Sequence, residues 1–272
     1  MSSSDNPGET LVPVVSVILP VNRDDGFLFQ AIESVLHQTL RDLELIIVAN
    51  RCSDEVWSAL GQIGDPRVRL LRSDIGQLPF NLNLGIEHAR GSYIARMDAD
   101  DIAHPERLEI QRRYLDEHPD VAAVGSWYEH IDEQGRRRGM PAPLPLTPEA
   151  VRRRLPFESC LPHPTVMARK SALLAVGGYA YGLFAEDWDL WLRLSRAGYR
   201  LANIDQVLLS YRIHSNQSTG LRSLRRNIGN VLALHVREFV IQGRPVFFLG
   251  AFYYVGSTLL RALISWLRNR LL

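Results

Sequence analysis

Apolar residues along this chain come in short, nearly unbroken runs, separated by stretches where they recur every three or four positions. Val14 to Val21 is the first run, closed by Pro20 and Asn22, and it predicts a parallel strand buried on both faces. Leu28, Ile32, Val35 and Leu36 then fall at helical spacing. Leu43 to Val48 predicts a second buried strand, Val56, Leu60 and Ile63 a helix, and Val68 to Leu71 a third strand. Leu82, Ile86 and Ala89 mark another helical face before a fourth strand, Tyr93 to Met97. Strands and helices in strict alternation predict an α/β fold with a mostly parallel central sheet and helices on both faces.

Further along, Pro105 to His118 reads as a helix with proline in its first turn. Val121 to Trp127 is strand-like, and Arg136 to Pro148, rich in Arg and Pro, reads as an exposed loop. His163 to Met167 is short and strand-like, Gly177-Gly178 breaks the chain, and Val207 to Ile213 is a late strand. From Ser223 onward the pattern is helical. The expected division is a flexible N-terminus over residues 1–12, a main domain over 13–220 and a C-terminal helical region over 221–272.

Composition narrows this picture only a little. With 272 residues, 46% of them hydrophobic, the chain can bury a sizeable core. A net charge of +1 supplies no general field for nucleic acid. Two cysteines, Cys52 and Cys160, do not make a disulfide framework, which suits a reducing cytosol. Met1 to Thr10 is polar and unlike a signal peptide. Pro245 to Leu260 carries no charge, yet falls short of the ~20 apolar residues of a spanning helix. Bordered by Arg237, Arg244, Arg268 and Arg270, it reads as a helix lying on a membrane surface. A helix packed on the domain and a homodimer contact are the alternatives.

Candidate chemistry gathers at two acidic clusters. Asp98, Asp100 and Asp101 follow the fourth strand, at the strand end where open α/β sheets keep their ligand crevice. Carboxylates this close repel one another unless a cation joins them, and Mg²⁺ or Mn²⁺ suits such hard oxygen ligands. The plainer reading is an Asp-rich turn, with Asp101 capping the helix near Pro105. In the second cluster, Glu186-Asp187-Trp188-Asp189, Asp187 sits one turn before Leu190 and Leu194 at a helix start. There it can serve as a general base or merely as a solvated cap. Together the clusters provide one acid group for a metal and a diphosphate and another to take a proton from a hydroxyl. Sugar transfer from a nucleoside diphosphate needs both.

The ordered text around these clusters resembles the family 2 glycosyltransferases, a bacterial type with the GT-A fold. The resemblance runs from about Val14 to Ser218. It includes Val15 to Asn22, Ala31 to Thr39, Glu44 to Val48, Leu82-Asn83-Leu84-Gly85-Ile86, Ala89 to Ala95 and Asp98-Ala99-Asp100, the family's DxD element. His163 to Met167, Gly177-Gly178-Tyr179, Glu186-Asp187 and Tyr211-Arg212-Ile213-His214 follow in order. The resemblance implies an inverting, non-processive transferase using Mg²⁺ or Mn²⁺. Pro20, Val21, Asn22, Asn50, Asn83, Asp98 and Asp100 would hold the nucleotide sugar, and Asp187 would be the base with Glu186 beside it. Asp100, Asp98 and His214 would face the metal. The acceptor would be a glycan or lipid-linked sugar at the inner face of the cytoplasmic membrane.

One departure stands out. Where the family often carries an Asp pair that reads the base, this chain has Ala49-Asn50. Asn50 both donates and accepts hydrogen bonds, so a UDP-sugar is the first expectation, with GDP- and dTDP-sugars open. His163 is expected on the acceptor side or in the scaffold, and Arg96 and Arg193 as scaffold charges. A nucleotidyltransferase would show a basic, Gly-rich loop after the first strand, which Val21 to Gly26 is not. A non-catalytic nucleotide-sugar-binding protein is the other alternative.

Overall fold

The computed structural model describes residues 12–180, 185–214 and 224–271. The expected flexible stretch over 1–12 lies outside them except for Val12, as does the expected boundary at 220/221.

Four strands build the first half of the sheet: β1 (Val15–Val21), β2 (Leu43–Asn50), β3 (Val68–Ser73) and β4 (Tyr93–Arg96). All three pairings among them are parallel. Helices α1 (Leu28–Leu36), α2 (Asp54–Leu60) and α3 (Leu78–His88) make the crossovers. After β4 come β5 (Ile102–Ala103), α4 (Arg107–Glu117), β6 (Val121–Ile131), β7 (Arg137–Gly139) and α5 (Pro148–Arg154). The chain continues through β8 (Met167–Arg169), α6 (Lys170–Ala175), α7 (Glu186–Arg196), β9 (Arg200–Arg212), α8 (Leu224–Gln242) and α9 (Val246–Leu271). The sheet order is β3-β2-β1-β4-β8-β6-β9-β5, with β7 on β6. Its long pairings are parallel, and the antiparallel ones, all involving strands after β4, span two or three residues each.

The unbroken apolar runs have the expected cause, since every residue of β1 and β2 is buried. Alternate side chains enter two cores. Val15, Val17, Leu19 and Val21 pack with Leu28, Ile32 and Val35 of α1 and Leu108 of α4. Ile18, Ile46 and Val48 face the other way, toward α3, α6 and α7. Each such fully buried aliphatic contributes about 1.5–3 kcal/mol.

Three predicted elements differ in detail. His163 to Thr165 forms a 3₁₀ turn, and the strand begins only at Met167. Pro162 and Pro164 remove ladder donors, and Thr165 donates both its N–H and its hydroxyl back to the Pro162 carbonyl. The late strand is longer than Val207 to Ile213, running from Arg200 to Arg212. The polar, exposed Asp205-Gln206 that suggests a break is a bulge: Ser126 pairs Ile204 and Trp127 pairs Val207, leaving these two residues over. Within the expected loop Arg136 to Pro148, exposed β7 pairs with the end of β6.

Candidate active site

The carboxyl ends of β1, β2 and β4 open into a cleft of ≈ 910 Å³. Pro20, Val21, Asn22, Asn50, Arg96, Asp98 and Asp100 line it, together with His163, Glu186 and Asp187. His214 also lines it. Parallel strands stop here together, and their ends give the turns that carry these side chains.

Asn50 is buried and donates its amide N–H to the Val21 carbonyl at 3.0 Å, so it ties the ends of β1 and β2 together. Asn83, by contrast, does not line the cleft. Its side-chain amide donates to the Tyr179 carbonyl and accepts from the Tyr179 N–H, both at 2.8 Å. Its role is to hold the Gly178 turn, where φ is +65° and a Cβ would stand 2.4 Å from the Asn83 oxygen. Glycine is required there on both counts. Asn83, expected at the nucleotide sugar, thus has its amide engaged by Tyr179.

Asp98 is gripped by the Arg96 guanidinium through both carboxylate oxygens. Arg96 is thus more than a scaffold charge, because it is buried and lines the cleft. Arg107, fully buried on α4, donates to the Arg96 carbonyl at 2.7 Å. Arg212 donates from Nε to the Asp100 carbonyl at 2.8 Å and stacks 4.3 Å from the Phe27 ring. Three arginines thereby fix the acidic loop from behind. Arg107 and Arg212 were not predicted. The only trace of Arg107 is its place one helical turn from Gln111, with which it shares a hydrogen bond; Arg212 lies inside the matched Tyr211-to-His214 text.

Asp101 does not cap α4. One of its oxygens accepts the Arg212 N–H at 2.9 Å, while the other is buried with no partner among the described residues. Burial, then the Asp98 and Asp100 charges, push its carboxyl well above the ordinary range. Asp98 is raised too, chiefly by burial. Oxygens of Asp98, Asp100 and Asp101 lie within 4.8 Å of one another, and His214 Nε2 is 2.9 Å from an Asp100 oxygen. Three converging carboxylates, one with an unused buried oxygen, fit a hard divalent cation.

Across the cleft, Glu186 and Asp187 open α7 just after Ala185, which holds a left-handed φ of 71°. That conformation costs a non-glycine residue about 1 kcal/mol and turns the helix start toward the cleft. Asp187 accepts from the Ser159 hydroxyl at 3.0 Å. Burial raises its carboxyl above the usual value, opposed by the Trp188 N–H and Ser159. Glu186 is pushed up to about 7, first by burial and then by the Asp187 charge. His163 stands 2.8 Å from the Tyr179 hydroxyl and is kept neutral by burial and by Arg96. The helix bearing these acids is bolted to its neighbour: buried Asp189 pairs with Arg193 and with Arg237 of α8, and Arg196 pairs with buried Glu238.

Asn227 and Val231 of α8 and Tyr254 of α9 complete the cleft beside Asp187. Sequence reading assigned none of them to the site, because nothing in their local pattern distinguishes them from other positions of a packed helix.

The chain matches the model of Glycosyl transferase family 2 over residues 16–177. It is 34% identical over 259 residues to the O-antigen biosynthesis glycosyltransferase WbnJ of Escherichia coli, a match covering 92% of this chain and 98% of that one. Among solved structures, Staphylococcus aureus TarS residues 1–349 in complex with UDP-GlcNAc aligns with a TM-score of 0.69 at 16% identity, over 88% of this chain and 72% of that 1–349 chain. The mannosyltransferase PcManGT from Pyrobaculum calidifontis, in complex with GDP-Man and Mn²⁺, aligns with a TM-score of 0.64 at 17% identity, over 94% and 76%. At such identities the structural likeness speaks for the GT-A fold alone. The sequence matches settle the family: the chain belongs to glycosyl transferase family 2 and is a glycosyltransferase.

Proposed function

We propose that this family 2 glycosyltransferase moves a sugar, with inversion, from a nucleoside diphosphate to a hydroxyl of a glycan or lipid-linked acceptor in bacterial surface polysaccharide synthesis. What carries the reading is one cleft holding both an acid nest and a separate helix-borne carboxylate pair. The WbnJ relative, by its name, works in O-antigen biosynthesis, which supports the acceptor class. Residues 13–220 are assigned as the catalytic domain and 221–272 as its helical appendage.

On this reading the nucleoside lies along Pro20, Val21, Asn22 and Asn50, and the diphosphate reaches toward Asp98 and Asp100. A UDP-sugar is the first choice of donor, with GDP- and dTDP-sugars open, because Asn50 at the end of β2 can both donate and accept hydrogen bonds at a base edge. Mg²⁺ or Mn²⁺ would be held by Asp100 and Asp101, with Asp98 and His214 alongside, and would neutralise charge on the departing diphosphate. Asp187 takes the proton of the acceptor hydroxyl as its oxygen bonds to the anomeric carbon. The bond from that carbon to the diphosphate oxygen breaks on the opposite face, in a single displacement. Glu186 shapes the acceptor end, and Ser159 orients Asp187. The reaction takes place at the inner face of the cytoplasmic membrane, where lipid-linked acceptors are held.

A thermal-shift screen of nucleoside diphosphate sugars, with and without Mn²⁺, tests the donor half. The expected result is stabilisation by one nucleotide series, enlarged by the cation. Indifference to every nucleotide sugar would overturn the reading.

A further inference from the structure

One side of α9 is packed and the other is bare. Phe247, Gly250, Ala251 and Thr258 are buried, and a Cβ on Gly250 would come within 1.8 Å of the Pro156 carbonyl oxygen. Around the helix, Leu249, Phe252, Tyr253 and Leu260 are each more than half exposed, Phe252 by 76%. The same division holds on α8. Val231, Leu234, His235 and Glu238 point inward, while Val236 and Val240 point outward, Val240 at 74% exposure. A helix facing water carries polar residues on that side. Here two successive, mutually packed helices present aromatic and branched aliphatic side chains instead. Scattered exposed apolar residues are ordinary, but a gathered patch of this kind marks an interaction surface.

Charge selects the partner. Residues 239–272 contain Arg244, Arg261, Arg268 and Arg270 and not one Asp or Glu. Arg244 is exposed ahead of α9, and an all-cationic stretch of chain attracts anionic lipid headgroups while repelling a second copy of itself. No helix among the described residues is long and apolar enough to cross a membrane, which fits a helix pair lying in the interface. The surface also reaches the chemistry: Asn227 and Val231 of α8 and Tyr254 of α9 line the cleft beside Glu186 and Asp187.

We propose that the exposed faces of α8 and α9 dock on an anionic lipid bilayer, which delivers the acceptor hydroxyl to the Asp187 end of the cleft. The delivery half rests on the glycosyltransfer reading above, and the docking half does not. The test is co-sedimentation of the full chain with vesicles of phosphatidylcholine alone and of phosphatidylcholine mixed equally with phosphatidylglycerol. The chain should pellet with the mixed vesicles, and about tenfold less with the neutral ones or at high salt. The double variant Leu249→Ser, Phe252→Ser should lose binding about tenfold while its melting temperature and nucleotide-sugar stabilisation hold. Arg244→Glu should weaken binding to the mixed vesicles only. Equal pelleting of wild type and double variant would overturn docking. So would a dimer in light scattering that the double variant dissolves, with no vesicle binding by the wild type. If vesicle binding survives but no nucleotide sugar stabilises the protein, the functional reading fails and the docking stands.

Discussion

Arg96 closes on Asp98 with both ends of its guanidinium, two residues away along the same turn. A cation entering the nest must therefore share Asp98 with a buried arginine, and the carboxylates with oxygens to spare are Asp100 and Asp101. Asp100→Ala should abolish the extra stabilisation that Mn²⁺ gives. Asp101→Asn keeps an oxygen for the Arg212 N–H but loses the second anionic oxygen, so cation affinity should fall about tenfold with folding intact. Calorimetric titration with Mn²⁺ measures both. Unchanged affinity in both variants would remove the cation from this nest.

The catalytic assignment is separable from binding. Asp187→Asn keeps the side-chain shape and the Ser159 contact but cannot take a proton. Transfer should drop by about 10²- to 10⁴-fold while the nucleotide-sugar thermal shift persists. A variant as active as wild type would exclude Asp187 as the base.

Acid should stabilise the cation-free protein. Glu186 is pushed up to about 7, and Asp98, Asp101 and Asp187 shift in the same direction. An unfolded carboxylate titrates near about 4. Between those values the folded state holds more protons, so the stabilisation is complete below the unfolded value and is lost as pH rises through about 7. Buried, neutral His163 opposes this below about 6.5, where an unfolded imidazole takes a proton. The four carboxyls outweigh it, so the melting temperature should be higher at about pH 5.5 than at about pH 7.5. Mn²⁺ should narrow the gap by taking the protons' place. The transfer rate should run the other way and fall with acid, because the base must be ionised.

Arg212 has no solvent to fall back on. It bonds the carbonyls of Asp100, Asp132 and Glu133 and the side chain of Gln30, and its own N–H reaches Asp101. Arg212→Lys keeps the charge but cannot serve that fork of acceptors. It should cost roughly 2–4 kcal/mol in urea unfolding. A loss below about 1 kcal/mol would show that the clamp is dispensable.

Strands β1, β2 and β4 were legible because burial on both faces leaves unbroken apolar runs, and α1 shows its inward face at clean helical spacing. Asp98, Asp100 and Asp187 stood out because acids at strand ends and helix starts break those runs. What the chain order hid was long-range. Nothing near Asn83 announces that its amide is used by Tyr179, 96 residues away. Nothing in the C-terminal pattern tells that Val231 and Tyr254 turn into the cleft. The 3₁₀ turn at His163 and the bulge at Asp205-Gln206 depend on the N–H donors that Pro162 and Pro164 lack and on the register of a partner strand.

The ion pairs between α7 and α8 also bear on how this protein can be altered or inherited. Asp189 and Glu238 are fully buried, and each has its arginine on the opposite helix. Behind them, Trp188 stacks edgewise on His235 and on Tyr254. Cutting away the last two helices would take Arg237 from Asp189, leave Arg196 without its carboxylate partner and uncover the Trp188 indole next to Asp187. The C-terminal hairpin is therefore not a detachable module that could be exchanged between relatives like a tag. Any graft would have to carry α7, α8 and α9 together, and selection on one would be felt by all three.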